Sequence, residues 1–320
     1  MAELIPLGQT NVLVSRLGLG AMVWGKPTGL SRLAPAQTAY GPSDSTAEEE
    51  RALAVSISAG VNFVDTAEFY SGGASEARGG ELTQGLDVVV ATKFPPHISS
   101  RADDFPAALQ RSLAALRRDR IDLIQHHFPS NGVPIPQLMA HMADAVDAGL
   151  LRAVGVSNYS EPQMRLAHAE LAKRGIPLAS NQVEYSLLHR EPEVNGVLDT
   201  CRELGVTLIA YTPLAGGALT GKYTPGSKAR GLRRFLGNRF RRSGLEAIQP
   251  VIALLREIGD RYGMTPNQVA LRWLIDASGA LPIPGAKNEQ QAASNAGALS
   301  FTLTSDEVAA IGDATRAWRK

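Results

Sequence analysis

GVNFVDTAEFY, residues 60–70, carries the pattern on which the fold rests. Gly60 stops an amphipathic segment whose start is marked by Ser45 with Glu48 three positions on, the signature of a helix capping box. Val61–Asp65 is a short apolar run that ends on a carboxylate, and Tyr70 follows in the next loop. The same unit, an apolar run and then a helix-length segment, recurs along the chain. The runs are Leu17–Met22, Val61–Asp65, Asp87–Lys93, Ile121–His127, Ala153–Ser157, Ala179–Val183, Val206–Tyr211 and Ala280–Pro284. Most are near-continuously apolar, as parallel strands covered on both faces should be.

The intervening segments carry helix signals. Ser160 with Gln163, Thr265 with Gln268 and Thr304 with Glu307 repeat the capping device, and Pro266 stands at a first helical position. Phe105–Leu116 and Pro250–Tyr262 have apolar residues at helical spacing. Eight alternations of strand and helix predict an α/β chain folded as a (β/α)8 TIM barrel, one domain over residues 1–320. A doubly wound sheet competes, but Gly18, Gly20 and Gly25 do not make its phosphate-turn spacing. Residues 4–14 alternate around Gly8–Gln9–Thr10–Asn11 and predict a β-hairpin over the barrel floor. Lys26–Asp44 and Ala215–Gly244 read as long rim loops.

Composition narrows the function. A charge of +1 with 20% charged residues gives no reason to expect a nucleic-acid partner. The basic stretch Lys228–Arg242 reads either as a solvated loop or as a flap near phosphates; it lacks the interleaved aromatics of a nucleic-acid surface. No apolar run approaches the roughly 20 residues of a membrane span. The N-terminal MAELIPLGQT lacks a basic region followed by an apolar stretch, so no signal peptide is expected. The single cysteine, Cys201, reads as a packing residue and fits a reducing, cytoplasmic setting. Homo-oligomerisation is open.

Polar residues end these strands in series: Asp65, Lys93, His127, Ser157 with Asn158, Gln182 and Tyr211. They recur at roughly 30 residues, one βα unit, and so share the rim on which barrel enzymes assemble their sites. Each has a plain structural alternative: a helix cap for Asp65, a solvated strand end for Lys93, a satisfied core amide for Gln182, a hydrogen-bonded structural histidine for His127. A shared rim favours the functional reading of all of them together. Asp65 and Lys93 on neighbouring strands can pair. Tyr70 lies over the same rim, and a nearby ammonium lowers a phenol's pKa. Tyr70 can then act as an acid, Lys93 as its tuner and Asp65 as the anchor of Lys93, while His127 hydrogen-bonds a substrate oxygen. His126 and His127 face opposite sides of a strand, so only one enters the site. No third His or Cys stands at metal-ligand spacing, and no metal is expected.

The stretches GVNFVDTAEFY (60–70), ATKF (91–94), DLIQHHFP (122–129), GVSNYS (155–160), NQVEYSLL (181–188), AYTPLAGGALTGKY (210–223) and PIPGAKNEQQAASNAGAL (282–299), in this order, resemble the aldo-keto reductases. The resemblance implies a catalytic tetrad of Asp65, Tyr70, Lys93 and His127, with His127 selected by its place two positions before the proline. It implies a nicotinamide carboxamide held by Ser157, Asn158 and Gln182, with Tyr211 stacked on the ring. Leu214 and Gly216, in the stretch after Tyr211, are implied as further cofactor contacts. Gly285, Lys287, Gln291 and Asn295 are implied at the adenosine-phosphate end. Lys287 stands where many relatives have arginine and still favours a 2′-phosphate, so NADPH is expected over NADH. Trp24, Phe69, His97 and Phe128 are expected around a small carbonyl or alcohol substrate. Residues 71–86, SGGASEARGGELTQGL, are glycine-rich and read as a poor helix, so a looser rim is expected there.

The implied activity is NADPH-dependent reduction of aldehydes or ketones to alcohols. Two other readings are a nucleotide-binding regulatory subunit with little turnover, and a barrel isomerase or lyase using Lys93 as a Schiff base. The intact tetrad weighs against the first. The second leaves Ser157, Asn158 and Gln182 without a purpose.

Overall fold

The computed structural model describes residues 3–27, 29–33, 41, 43, 45–95, 101–130, 132–227 and 238–320. An antiparallel hairpin opens the chain, β1 (Leu4–Pro6) against β2 (Leu13–Ser15). Eight parallel strands follow: β3 (Gly18–Gly20), β4 (Phe63–Asp65), β5 (Val89–Phe94), β6 (Ile121–His126), β7 (Leu151–Ser157), β8 (Leu178–Glu184), β9 (Thr207–Tyr211) and β10 (Leu281–Pro282). They pair in chain order, and a parallel bridge between Gly20 and Gly285 closes the ring. The Gly20 N–H donates to Pro284 O at 3.0 Å there. A Cβ on Gly20 would stand 2.9 Å from Ile283 O, so closure needs glycine at this position.

The eight apolar runs are therefore the eight barrel strands, with ends shifted by a residue or two. The expected hairpin forms and plugs the lower end. Leu7, Val12 and Val14 are fully buried among Phe63, Val89, Leu123, Ala153, Ile209 and Leu281. Gly8 docks the tip: its N–H donates to Thr207 Oγ1 at 2.7 Å, and a Cβ there would meet Ala179 O at 2.5 Å. The strand side chains that face the plug are apolar, and those one layer higher are polar. Both layers lie on the inward face, two residues apart along a strand, as Phe63 and Asp65 or Leu123 and Gln125 are.

The outer layer includes α1 (Thr46–Ser58), α2 (Ala74–Thr83), α3 (Phe105–Leu116), α4 (Ile135–Asp147), α5 (Glu161–Ala172), α6 (Val197–Leu204), α7 (Arg242–Tyr262), α8 (Pro266–Ser278), α9 (Glu289–Ala296) and α10 (Ser305–Ala314). The capping boxes at Ser160, Thr265 and Thr304 form as the sequence predicts, and Ser45 caps α1 through the Glu48 N–H. α7 begins at Arg242 and contains Pro250, so the second rim loop ends earlier than its composition suggests. No helix among the described residues is long and apolar enough to cross a membrane.

The segment expected to be a poor helix forms α2. Intrinsic propensity is overridden by packing. A Cβ on Gly80 would lie 2.6 Å from the backbone of Ala115 and Leu116, so the glycine lets α2 approach α3 closely. Glu76 ties the helix to the barrel wall by accepting from Thr92 Oγ1 at 2.5 Å. The neighbouring Gly79 is different, because its added Cβ would make only an ordinary contact, 3.9 Å from Leu116. Chemical denaturation should accordingly separate the two glycines. Gly80→Ala is expected to destabilise by about 1–3 kcal/mol through overpacking, whereas Gly79→Ala is expected to be neutral or stabilising by up to about 1 kcal/mol. Equal effects would remove the close-approach argument.

Candidate active site

Lys93 and Asp65 come from adjacent strands and meet inside the upper barrel. Lys93 Nζ, 0% exposed, donates to Asp65 Oδ1 at 2.5 Å and to Thr66 O at 2.8 Å. The second carboxylate oxygen, Oδ2, accepts from Gln182 Nε2 at 2.8 Å and from Gln125 Nε2 at 3.3 Å. Burial alone works against the Lys93 charge, but the Asp65 carboxylate and the Tyr70 hydroxyl outweigh it, and the ammonium pKa lies above its ordinary value. Gln125 was not among the residues singled out from sequence. The signal was present: alternation along Ile121–His127 puts residue 125 on the face of residue 127, and an amide there interrupts an apolar row.

Tyr70 starts a short turn, Tyr70–Gly73, beyond β4. Ser71, Gly72 and Gly73 all have positive φ, at 54°, 68° and 91°. Ser71 is a strained position for a side-chain-bearing residue, of the kind found where a site constrains the backbone. The turn holds the Tyr70 ring face-on to Lys93 Nζ, 4.8 Å from its centroid. Burial raises the Tyr70 pKa; the Lys93 charge pulls it down, the Asp65 charge pushes it up, and the net direction is upward. The lowering expected from the ammonium alone is thus corrected. Desolvation of the phenolate exceeds the pull of a lysine whose own charge is largely answered by Asp65.

His127 lies one residue beyond β6, its ring 5.6 Å from that of Tyr70 and edge-on to it. Phe128 stacks on the imidazole at 4.9 Å and Phe69 lies 4.9 Å away, tilted. Both phenylalanines are exposed at the mouth. Burial, then Lys93, then His126 push the His127 pKa down to about 2, so the ring is neutral throughout the ordinary pH range. His126 faces the helix layer instead. Its Nδ1 meets Tyr159 OH at 2.7 Å, and burial lowers its pKa to about 4. Only one of the two adjacent histidines enters the site, as strand alternation requires.

Ser157, Asn158, Gln182 and Tyr211 form one connected set at the ends of β7, β8 and β9. Ser157 Oγ donates to Gln182 O at 2.8 Å, Asn158 Nδ2 to Ser157 Oγ at 3.1 Å, and Tyr211 OH to Asn158 Oδ1 at 3.0 Å. Asn158 adopts φ 59°, which turns its side chain back over the rim. Leu214 and Gly216 enter the turn Ala215–Thr220 after β9, where Gly216 has φ 68°. After β10, Asn295 Nδ2 donates to Gly285 O at 3.3 Å and Lys287 N to Gln291 Oε1 at 3.0 Å. Gln291 N in turn donates to Asn288 Oδ1, the cap of α9. An amide-and-hydroxyl cluster beside a half-buried aromatic ring, with a lysine at a helix start, is a donor set that fits a nicotinamide dinucleotide.

Trp24 is corrected. It is fully buried, and its indole N–H donates to Ala286 O at 2.8 Å, so it offers a substrate no surface and instead ties the first βα loop to the last. His97 lies outside the described residues, as does the basic stretch from Lys228 to Arg234. Farther along the same loop, Arg239 pairs with Glu184 at the end of β8, at 3.3 Å.

Comparison with known proteins agrees with this geometry. A model of the Aldo/keto reductase family matches residues 16–316. The chain is 35% identical to a chloroplastic pyridoxal reductase of Arabidopsis thaliana, over 92% of this chain and 81% of that protein. It is 31% identical to a Schizosaccharomyces pombe protein named as an NADP(+) aldo-keto reductase, yakc, over 86% of this chain and 84% of that one. Among solved structures, a thermostable aldo-keto reductase in complex with the inhibitor epalrestat superposes with a TM-score of 0.75 at 27% identity, covering 98% of this chain and 99% of the other. The chain belongs to the aldo/keto reductase family and is an NAD(P)H-dependent oxidoreductase that reduces carbonyl groups.

Proposed function

We propose that this reductase uses NADPH to convert aldehydes or ketones to alcohols, with Tyr70 as the proton donor. The observation that carries the reading is the Lys93 ammonium, buried against Asp65 and 4.8 Å from the Tyr70 ring. Bound reduced nicotinamide supplies the hydride. Tyr70, its pKa raised by burial, holds its proton at neutral pH and presents it to the carbonyl oxygen. As that proton leaves, the phenolate forms beside a fixed ammonium, so stabilisation falls where charge develops. Asp65 keeps Lys93 charged and in place. Neutral His127 orients the carbonyl oxygen, and Phe69 and Phe128 beside it suit a small substrate with an apolar or aromatic group.

In the same reading Ser157, Asn158 and Gln182 hold the carboxamide and Tyr211 stacks on the ring, with Leu214 and Gly216 beneath it. Gly285, Lys287, Gln291 and Asn295 receive the adenosine phosphates, and the Lys287 charge at the α9 start favours a 2′-phosphate. A reducing, cytoplasmic setting goes with this reading. Cys201, the one cysteine, is buried in the helix layer, and burial pushes its thiol up to about 12.

Tyr70→Phe is expected to lower turnover of an aldehyde by about 10²–10⁴-fold while leaving the NADPH Kd within about twofold; turnover near the native rate would remove Tyr70 as donor. The kcat for reduction should be flat between pH 5 and pH 7, because His127 stays neutral far below that window. An acid limb centred near 6.5 that vanishes in His127→Gln would contradict a neutral imidazole. Lys287→Ala should raise the KM for NADPH about tenfold, the scale of one lost charge-assisted hydrogen bond, and change that for NADH little. Equal losses with both cofactors would place Lys287 away from a 2′-phosphate.

A further inference from the structure

We propose that Gln125 is a positioning residue which fixes the amide of Gln182 and the carboxylate of Asp65 together, and so links the nicotinamide subsite to the proton-donating pair. The inference rests on the assignment of Tyr70 as donor and of Gln182 to the carboxamide. Gln125 is fully buried in the middle of the barrel mouth, on the face of β6 that His127 continues one residue beyond the strand. Asp65 Oδ2 is an acceptor only, so the amide groups of both Gln125 and Gln182 must turn their nitrogens toward it, at 3.3 and 2.8 Å. Gln125 Oε1 is thereby turned to accept from Gln182 Nε2 at 3.3 Å and from Ser180 Oγ at 3.5 Å. These contacts make a closed arrangement in which neither amide can flip without setting two acceptors against each other. The carbonyl oxygen of Gln182 is consequently held on the side away from Asp65, as an acceptor for a carboxamide N–H.

Space for this arrangement is made by Gly155 on β7. A Cβ at that position would lie 2.3 Å from Ser180 Oγ and 3.0 Å from Gln125 Cγ. The consequence for the donor follows from hydrogen bonding to a charge. With two amide donors on Oδ2, the Asp65 charge is spread, and its repulsion of a Tyr70 phenolate is reduced. Removing one donor concentrates the negative charge near Tyr70 and tightens its hold on the Lys93 proton. Phenol ionisation should then become harder. The same change frees Gln182 to rotate, so cofactor affinity should fall as well. A residue that merely filled space would affect neither.

The test uses Gln125→Met, which keeps the length and unbranched shape but removes donor and acceptor. Two measurements are made on the full-length protein: the NADPH Kd by fluorescence titration, and tyrosinate absorbance against pH without cofactor. The same pair in a Tyr70→Phe background isolates the Tyr70 signal. The expected result is a Kd raised about tenfold, equivalent to about 1.4 kcal/mol, together with Tyr70 ionisation displaced to higher pH. An unchanged Kd, or an unchanged Tyr70 titration, overturns the proposal. Should Gln125→Met fail to fold, Gln125→Glu takes its place. Its carboxyl, protonated beside Asp65, supplies the same donor and acceptor, so the Kd should match the native protein near pH 6 and rise in alkali. A pH-independent Kd in that variant would equally overturn it. Neither measurement depends on turnover, so an active Tyr70→Phe enzyme would defeat the donor assignment while leaving these results to decide the role of Gln125.

Discussion

The ion pair between Lys93 and Asp65 sets the terms for everything at the barrel mouth. Two opposite charges with almost no exposure would each be costly to desolvate, and their attraction offsets that cost only when the remaining hydrogen-bonding capacity is met. Here it is met by Thr66 O on the lysine and by the amides of Gln125 and Gln182 on the carboxylate. Removing either partner of such a pair leaves an uncompensated buried charge, at a cost of about 3–5 kcal/mol. The pair therefore constrains the fold and the chemistry at once. It forces β4, β5, β6 and β8 to keep polar residues at one level of an otherwise apolar interior.

Much of this was legible in the sequence. Eight apolar runs gave eight strands because both faces of a parallel strand are covered, and the polar strand ends shared one rim because each βα unit returns the chain to it. Strand ends moved by a residue or two because pairing stops where a neighbour stops, which one run cannot reveal. Helix α2 was misread for a related reason. SEARGGELT has poor propensity alone, and only the backbone of α3 across from Gly80 explains why a glycine belongs there. Trp24 looked like a pocket wall from its position after β3; its partner, Ala286, lies far along the chain.

Gln125 and the pKa of Tyr70 were hidden in a different way. An amide within a strand has no signature until the acceptor it faces is known. The direction of the Tyr70 shift depends on burial as well as on Lys93, and sequence spacing reports only the neighbour. The two adjacent histidines show how strongly position decides chemistry. His126 is bound to Tyr159 among the helices, whereas His127 stays neutral between two phenylalanines beside Tyr70.

Among the described residues, the hairpin stoppers one end of the barrel and makes it a vessel that opens toward Phe69 and Phe128. Leu7, Val12 and Val14 close the floor of the barrel against an apolar layer that includes the fully buried Phe63, Leu123 and Leu281. On the proposed role of Tyr70, the solvent proton that restores its hydroxyl enters by the same doorway as the carbonyl compound.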